Sequence, residues 1–531
     1  MTLDVRPERT AYRPGDIVRV LVDGTSTGTA AVEVTHLGEV WTDLTVDVRP
    51  GRQVVELGTG SQGSYAVRVR TGESSVATAF DVLADPISRP RYGFLANFPP
   101  GRDDAEELRD SLRAFHVTAV QFYDWMYRHA ELVPPADTYQ DALGRTLSLT
   151  TVRQLVETVH GLGASALAYA AVYGAGADYA AQHPDEVLHR RDGSPWMLAD
   201  FLWIMDVSPG STWTTHIVAA MRRAVSEVGF DGLHLDQYGH PRAALTAGGT
   251  RVDLAEALPA LIDSVRETLP GAVLIFNNVN DFPTRRTVRA RQDVTYIEVW
   301  SPHDEYADLV RLVEVARDLA PHRPVVLAAY QSLFATAGGA PQVAAAALAL
   351  STVWASGGQS LLFGEVNAVL VDPYYPRHAI LDDSAARTLR AFTDFSVANG
   401  DLLFGPESGT TTQSTVGGVN EDVHVTGVPV SLRPEASRVW VRTSRVGGRL
   451  VVQLVDLRDQ ADPRWNEPRT PTTPVAGVTV RVRAVQPGAR AWFGHPLGGP
   501  ELKQLVVREV GDQITLEVPE FDTWGLLVVD G

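Results

Sequence analysis

The 531-residue sequence predicts a multidomain protein: a central (β/α)8 TIM barrel flanked by an N-terminal immunoglobulin-like β-sandwich and a C-terminal β-sandwich. Three observations predict it. From about residue 90 to 400, apolar strand-like runs alternate with amphipathic helical stretches, eight units in succession. On either side of this region, short alternating runs are separated by Gly, Pro and Asp in the manner of all-β domains. The chain is also too long for one hydrophobic core.

Residues 1–88 carry the runs Ile17–Val22, Ala31–Val34, Gln53–Leu57 and Tyr65–Val69, with turn signals at Pro14-Gly15-Asp16 and Gly60–Gly63. Ala84–Pro90 reads as the linker. In residues 89–404 the predicted strands are Tyr92–Ala96, Ala119–Tyr123, Ala166–Ala171, Gly232–Asp236, Val273–Asn277, Val294–Val299, Val325–Ala329 and Ser360–Gly364. Helical spacing is clear in Asp103–Phe115. It is clear again in Asp253–Leu269, where Leu254, Leu258, Leu261, Ile262 and Val265 share a face. A doubly wound sheet is the alternative, but Asn97-Phe98-Pro99-Pro100 follows the first strand where a glycine-rich phosphate loop would stand. Residues 405–531 begin with a Gly/Ser/Thr-rich connection, Ser408–Gly418. Strands are then expected at Arg438–Arg442, Arg449–Leu454, Val478–Val482, Gln513–Val518 and Gly525–Val529.

Composition narrows the chemistry. A net charge of −18 argues against nucleic acid, whose phosphates it would repel, and suits a neutral substrate such as a sugar. The absence of cysteine removes disulfides, thiolate metal sites and Cys nucleophiles. No apolar run approaches the roughly 20 residues of a membrane span, so no membrane partner is expected. No signal peptide is visible, which points to the cytoplasm, or to secretion if the chain is a processed form. The histidines lack ligand spacing and there is no HExxH or EF-hand loop, so neither a catalytic metal nor a cofactor is expected.

Barrel chemistry sits at the C-terminal ends of the strands. The fourth strand ends Gly232-Leu233-His234-Leu235-Asp236, followed by Gln237 and Tyr238. The sixth ends Tyr296-Ile297-Glu298-Val299-Trp300. A strand-end Asp can simply cap the next helix. Two carboxylates at two strand tips, with aromatics beside them, are what a retaining glycosidase needs: one attacks the anomeric carbon and the other protonates the leaving oxygen. Asp236 lies among polar neighbours and is expected to stay ionised, as the nucleophile. Glu298, between Tyr296, Val299 and Trp300, is expected to keep its proton, as the general acid/base. Strands four and six are near enough for carboxyl groups about 5–5.5 Å apart. The other tips contribute Tyr123, Asp124 and Trp125, then His129; Trp203 and Asp206 on the long loop after strand three; Asn277; Tyr330; and Glu365. With Gln237, Tyr238 and Trp300 these form the expected substrate-binding set: aromatics stack on sugar faces, while amides and carboxylates bind the hydroxyl rim.

The segments Gln121–His129, Gly229–Gly239, Tyr296–Trp300 and Gly357–Glu365, with the order sandwich, barrel, sandwich, resemble glycoside hydrolase family 66, the endo-dextranases and cycloisomaltooligosaccharide glucanotransferases. The resemblance spans nearly the whole chain. It implies cleavage of α-1,6-linked glucan with retention, the family's nucleophile falling on Asp236 and its acid/base on Glu298. It also implies that Tyr123, Asp124 and Trp125 line the glucose site next to the nucleophile. The block Gly358–Glu365 departs from the family's version, which carries His and Glu, so the subsite details there are not carried over. The chain has no room for the carbohydrate-binding module that cyclising members insert into the barrel, which favours hydrolysis of dextran or isomalto-oligosaccharides. The alternatives are a transglycosylase making cyclic or elongated isomalto-oligosaccharides, and a non-catalytic carbohydrate-binding protein. An α-amylase-like enzyme would want its acid Glu after the fifth strand, where Asn277-Asn278-Val279-Asn280 stands.

Overall fold

The computed structural model describes residues 3–72, 74–336, 339–374, 376–407, 422–471, 473–483 and 485–530. The expected connection Ser408–Gly418 lies outside these residues.

Eight parallel strands close into a barrel: Tyr92–Leu95, Ala119–Phe122, Ser165–Ala171, Gly232–Asp236, Val273–Val279, Val294–Glu298, Val325–Ala328 and Gln359–Gly364. Closure comes from the seventh strand pairing with the eighth at Val326 and Gln359, and the eighth with the first at Leu361 and Tyr92. Side chains alternate along each strand. Leu167, Ile275, Val294, Tyr296 and Val326 therefore pack with Tyr92 and Phe94 in the barrel's interior, while their neighbours face the helices outside. Glycine is required where the fourth strand meets the fifth: a Cβ on Gly232 would lie 1.9 Å from the carbonyl oxygen of Val273. After the eighth strand, Ala368–Asp372 and Arg377–Ile380 extend the sheet as an antiparallel hairpin over the mouth.

Seven antiparallel strands precede the barrel, in a three-stranded and a four-stranded sheet. Val18, Val20 and Val22 of one sheet pack against Val32, Val34, Val67 and Val69 of the other. The four-stranded sheet ends in Glu39–Val48 and Ser74–Val82, which the sequence reading did not pick out. Edge strands carry polar residues that weaken the apolar signal, and both of these are rich in Ser, Thr and Asp.

The C-terminal region holds a four-stranded and a six-stranded sheet. The six-stranded sheet is buried on both faces, and the alternation of its residues shows why. Val452, Leu527 and Val529 face the other sheet, whereas Val451, Leu526, Val528 and Trp524 join the core formed with the barrel helices. Helix Ala340–Ala355, sandwiched there, is buried nearly all round.

Buried polar bonds join the regions. Arg91 pairs with Asp81 through both carboxylate oxygens, at 2.7 and 3.0 Å, and also donates to the carbonyls of Thr10 and His116. Asp394 accepts from Thr78 at 2.9 Å and lies 2.7 Å from His116 Nε2. Gln453 donates to the carbonyl of Ala355, and Trp524 donates to Gln453. Among the described residues no helix is long and apolar enough to cross a membrane.

Candidate active site

Strand alternation decides which side chains reach the barrel mouth. Glu298 follows Tyr296 and Val294 on the inward face of the sixth strand; Asn277 follows Ile275 on the fifth; Asp236 follows His234 on the fourth; Tyr169 follows Leu167 on the third. The register sets Asn277 beside Tyr296 and Val279 beside Glu298. Asn277 thus stands between the two carboxylates. Its Nδ2 donates to Asp236 Oδ1 at 2.7 Å and to Glu298 Oε2 at 2.9 Å. These two oxygens are therefore at most about 5.6 Å apart, the two bonds laid end to end, which is near the roughly 5–5.5 Å of a retaining pair and short of the roughly 6.5–9.5 Å of an inverting one.

Each carboxylate has a second donor. Tyr169 Oη donates a hydrogen bond to Asp236 Oδ2 at 2.7 Å, and Tyr330 Oη donates one to Glu298 Oε1 at 3.0 Å. Both acids are nearly closed off from solvent, Asp236 at 9% and Glu298 at 7% exposure. Burial raises both pKa values above the ordinary carboxylate range. The bonds from Tyr169, Asn277 and the backbone of Gln237 hold Asp236 back down. Glu298 is pushed further up by the neighbouring charge of Asp236. The two acids therefore titrate as a coupled pair, whose mutual repulsion favours a single negative charge shared between them.

Around the carboxylates lies a pocket of about 170 Å³ lined by aromatic rings and polar groups. Tyr123 stacks on Phe94 and leans on Tyr169. Asp124 has φ of +50°, a left-handed conformation that Asp tolerates better than most residues. Burial pushes its pKa to about 7 against the pull of Arg145. Burial depresses His129 to about 4 and His234 to about 3, so both rings are neutral. Gln121 Oε1 and Asn277 Oδ1 are buried with no hydrogen-bond partner among the described residues, acceptors that a ligand hydroxyl would satisfy. A second space of about 740 Å³ adjoins the pocket at His129, Phe201 and Leu202. Among the described residues no group of three or more His, Asp or Glu could hold a metal ion.

Of the residues expected at the site, the structure brings Asp236, Glu298, Tyr123, Asp124, His129, Gln237, Tyr238, Asn277 and Tyr330 to this pocket. Gln237 is committed to the scaffold: its Nε2 donates to the carbonyls of Asn277 and Phe282. Trp300 lines the next cleft, its ring 5.6 Å from those of Tyr330 and Tyr374. Four other expected residues do not line this pocket. Trp125 is wholly buried and donates to the carbonyl of Tyr169, behind the site rather than in it. Trp203 sits in a small sheet, paired with Ala175 and Met197. Asp206 caps the turn at Ser208. Glu365, at φ +51°, turns away to Arg102 and to the backbone N–H groups of Ala96 and Asn97. Tyr169, Tyr296 and His234 were not among the expected binding residues. Their signal was present only as polar-tipped residues at inward positions of buried strands.

Comparison with known proteins agrees with this fold. A model of glycosyl hydrolase family 66 matches residues 7–528. A cycloisomaltooligosaccharide glucanotransferase of Niallia circulans is 26% identical over 377 residues, which cover 62% of this chain and 38% of that protein. A dextranase of Streptococcus salivarius is 23% identical over 470 residues, 75% of this chain and 56% of its own. The chain thus spans less than two thirds of the length of these relatives. The crystal structure of a Paenibacillus sp. cycloisomaltooligosaccharide glucanotransferase complexed with cycloisomaltoheptaose superposes with a TM-score of 0.87 at 19% identity, covering 99% of both chains, and shares the fold.

Proposed function

The chain belongs to glycosyl hydrolase family 66, and from that premise we propose that it is a retaining glycoside hydrolase cleaving α-1,6-glucosidic bonds of dextran or isomalto-oligosaccharides. The observation that carries this reading is the Asn277-bridged pair, whose facing oxygens lie at a separation that favours retention. The relatives' names, a dextranase and a cycloisomaltooligosaccharide glucanotransferase, support the α-1,6-glucan part.

In this mechanism Asp236 attacks the anomeric carbon while Glu298 gives its proton to the departing glycosidic oxygen. Water then attacks the same carbon, the bond to Asp236 breaks, and Glu298 takes the water's proton. The division of labour follows from the surroundings. Tyr169 and Asn277 stabilise a charge on Asp236, and that charge in turn keeps Glu298 protonated. Asn277 also fixes the separation of the two groups without a charge of its own. The adjoining spaces at His129 and at Trp300 leave the pocket open on two sides, which favours binding within a chain rather than only at its end.

Incubation with dextran and with linear isomalto-oligosaccharides tests the reading. Shorter linear products with new reducing ends are expected, and NMR of the first-formed sugar should show the α-anomer. A first-formed β-anomer would overturn retention, and no cleavage of either substrate by the folded protein would overturn the α-1,6 assignment. Transfer to a sugar acceptor is the second reading, favoured by the adjoining cleft lined by Trp300 and Tyr330.

A further inference from the structure

A cleft of about 440 Å³ lies beside the central pocket, walled by Trp300, Tyr330, Ser332 and Asp372 from the barrel and by Trp465 and Asn466 from the C-terminal region. It opens on the Glu298 side. Tyr330 lines both spaces and donates to Glu298 Oε1, and Trp300 follows Glu298 by two residues. On the retaining reading, a group that leaves with a proton from Glu298 would depart towards this cleft, and an acceptor would arrive from there.

The C-terminal wall is rigidly held. Trp465 is buried, and its Nε1 donates to the carbonyl of His303 at 2.8 Å. Its backbone N–H donates to Asp304, that of Tyr306 to Pro463, and that of Arg469 to Pro341. These bonds lay the segment Asp462–Arg469 across the loop after the sixth strand. Beside that anchor, Asn466 Nδ2 donates to Ser332 Oγ at 3.0 Å, which fixes the plane of the amide. Asn466 Oδ1 is then buried with no hydrogen-bond partner among the described residues. A buried acceptor left unpaired is costly unless a ligand supplies the donor. A sugar hydroxyl is such a donor, and the face of Trp300 offers a platform for the ring that bears it.

We propose that the segment Asp462–Arg469 completes a binding site for a glucosyl acceptor, with Asn466 as its hydroxyl-recognising residue, so that the C-terminal region sets the balance between transfer and hydrolysis. The proposal rests on the retaining reading above. The acceptor's hydroxyl oxygen forms the new bond to the anomeric carbon, the bond from that carbon to Asp236 breaks, and the hydroxyl proton passes to the Glu298 carboxylate. Water in the same position gives hydrolysis instead. Occupancy of the cleft therefore decides the product.

The test uses the full chain, an aryl α-isomaltoside as donor, and increasing isomaltotriose as acceptor, with transfer products and free sugar counted together. Wild type should show transfer that saturates with acceptor. In Asn466→Ala, and in the size-conserving Asn466→Leu, the ratio of transfer to hydrolysis should fall about two- to tenfold at a given acceptor concentration, the loss of one hydrogen bond. The half-saturating acceptor concentration should rise by a similar factor. An unchanged ratio in both variants overturns the proposal, as does a wild-type enzyme that hydrolyses the donor but never transfers. If wild type cleaves no α-1,6-linked donor at all, the α-1,6 reading itself fails and takes this proposal with it.

Discussion

Replacing Tyr330 by phenylalanine removes one hydroxyl and nothing else from the neighbourhood of Glu298. The hydroxyl donates to Glu298 Oε1 at 3.0 Å, in a site where the carboxyl is 7% exposed. A donor favours the ionised form, so Tyr330 holds the pKa of Glu298 below where burial and the charge of Asp236 would otherwise place it. The proposed mechanism needs Asp236 ionised and Glu298 protonated, so it predicts that kcat/KM falls on the alkaline side as Glu298 loses its proton. Without the donor the pKa rises, and the alkaline limb must move to higher pH. The magnitude follows from the difference between a hydrogen bond to a charged acceptor, about 1.5–3 kcal/mol, and one to a neutral acceptor, about 0.5–1.5 kcal/mol. A difference of about 1 kcal/mol corresponds to a displacement of about 0.7 to 1 pH unit. The assay is kcat/KM for an isomalto-oligosaccharide across the pH range in which the variant stays folded. An alkaline limb that stays in place, or moves to lower pH, would refute the assignment of Glu298 as the acid governed by Tyr330.

The mirror experiment is Tyr169→Phe, which removes a donor from Asp236 Oδ2. The pKa of Asp236 rises, so the acid limb of the profile should move to higher pH by about one unit while the alkaline limb stays. Asp236→Asn should abolish turnover yet leave binding of isomalto-oligosaccharides measurable by calorimetry; retained turnover would remove it as nucleophile. Glu298→Gln should cost natural oligosaccharides about 10²–10⁴-fold in kcat/KM and activated aryl glycosides much less, because good leaving groups need little protonation. Equal losses on both substrates would argue against the acid role. Away from the site, Asp81→Ala leaves Arg91 charged, buried and without its carboxylate. It should lower stability by about 3–5 kcal/mol in denaturant titration, and a loss near zero would mean that the guanidinium finds water.

Much of this was legible in the sequence because the barrel's grammar is local. A strand of period two ending in a carboxylate declares both which face it buries and where its tip lies. Asp236 and Glu298 are therefore legible as a pair across about sixty residues of sequence. Other features are not local. Trp125 and Glu365 occupy strand-tip positions like the residues that line the pocket, but the chain turns through positive φ at Asp124 and at Glu365 and aims them elsewhere. Nothing in the types of the neighbouring residues announces that turn. Tyr169 lies within an apolar strand, Ser165–Ala171, where every residue but the first is buried and the pattern marks no face. The Trp465 anchor meets the loop after the sixth strand from about 160 residues away, a contact set by how the two regions dock rather than by either segment alone.

The geometry of Asn277 carries a further consequence. A single amide nitrogen donates to both acids, so the site has no fixed positive charge between its carboxylates. An Arg or Lys there would lower both pKa values together and ionise the acid as well as the nucleophile. A neutral donor fixes the distance while leaving the mutual repulsion of the carboxylates unscreened. That repulsion separates their proton affinities and keeps one proton on the pair. Asn277→Lys, whose long cation reaches both groups, should therefore lose the acid more than the nucleophile. An activated aryl glycoside would still react, an oligosaccharide would not, and the alkaline limb would shift to lower pH. Equal activity losses on both substrates would show that Asn277 serves position alone.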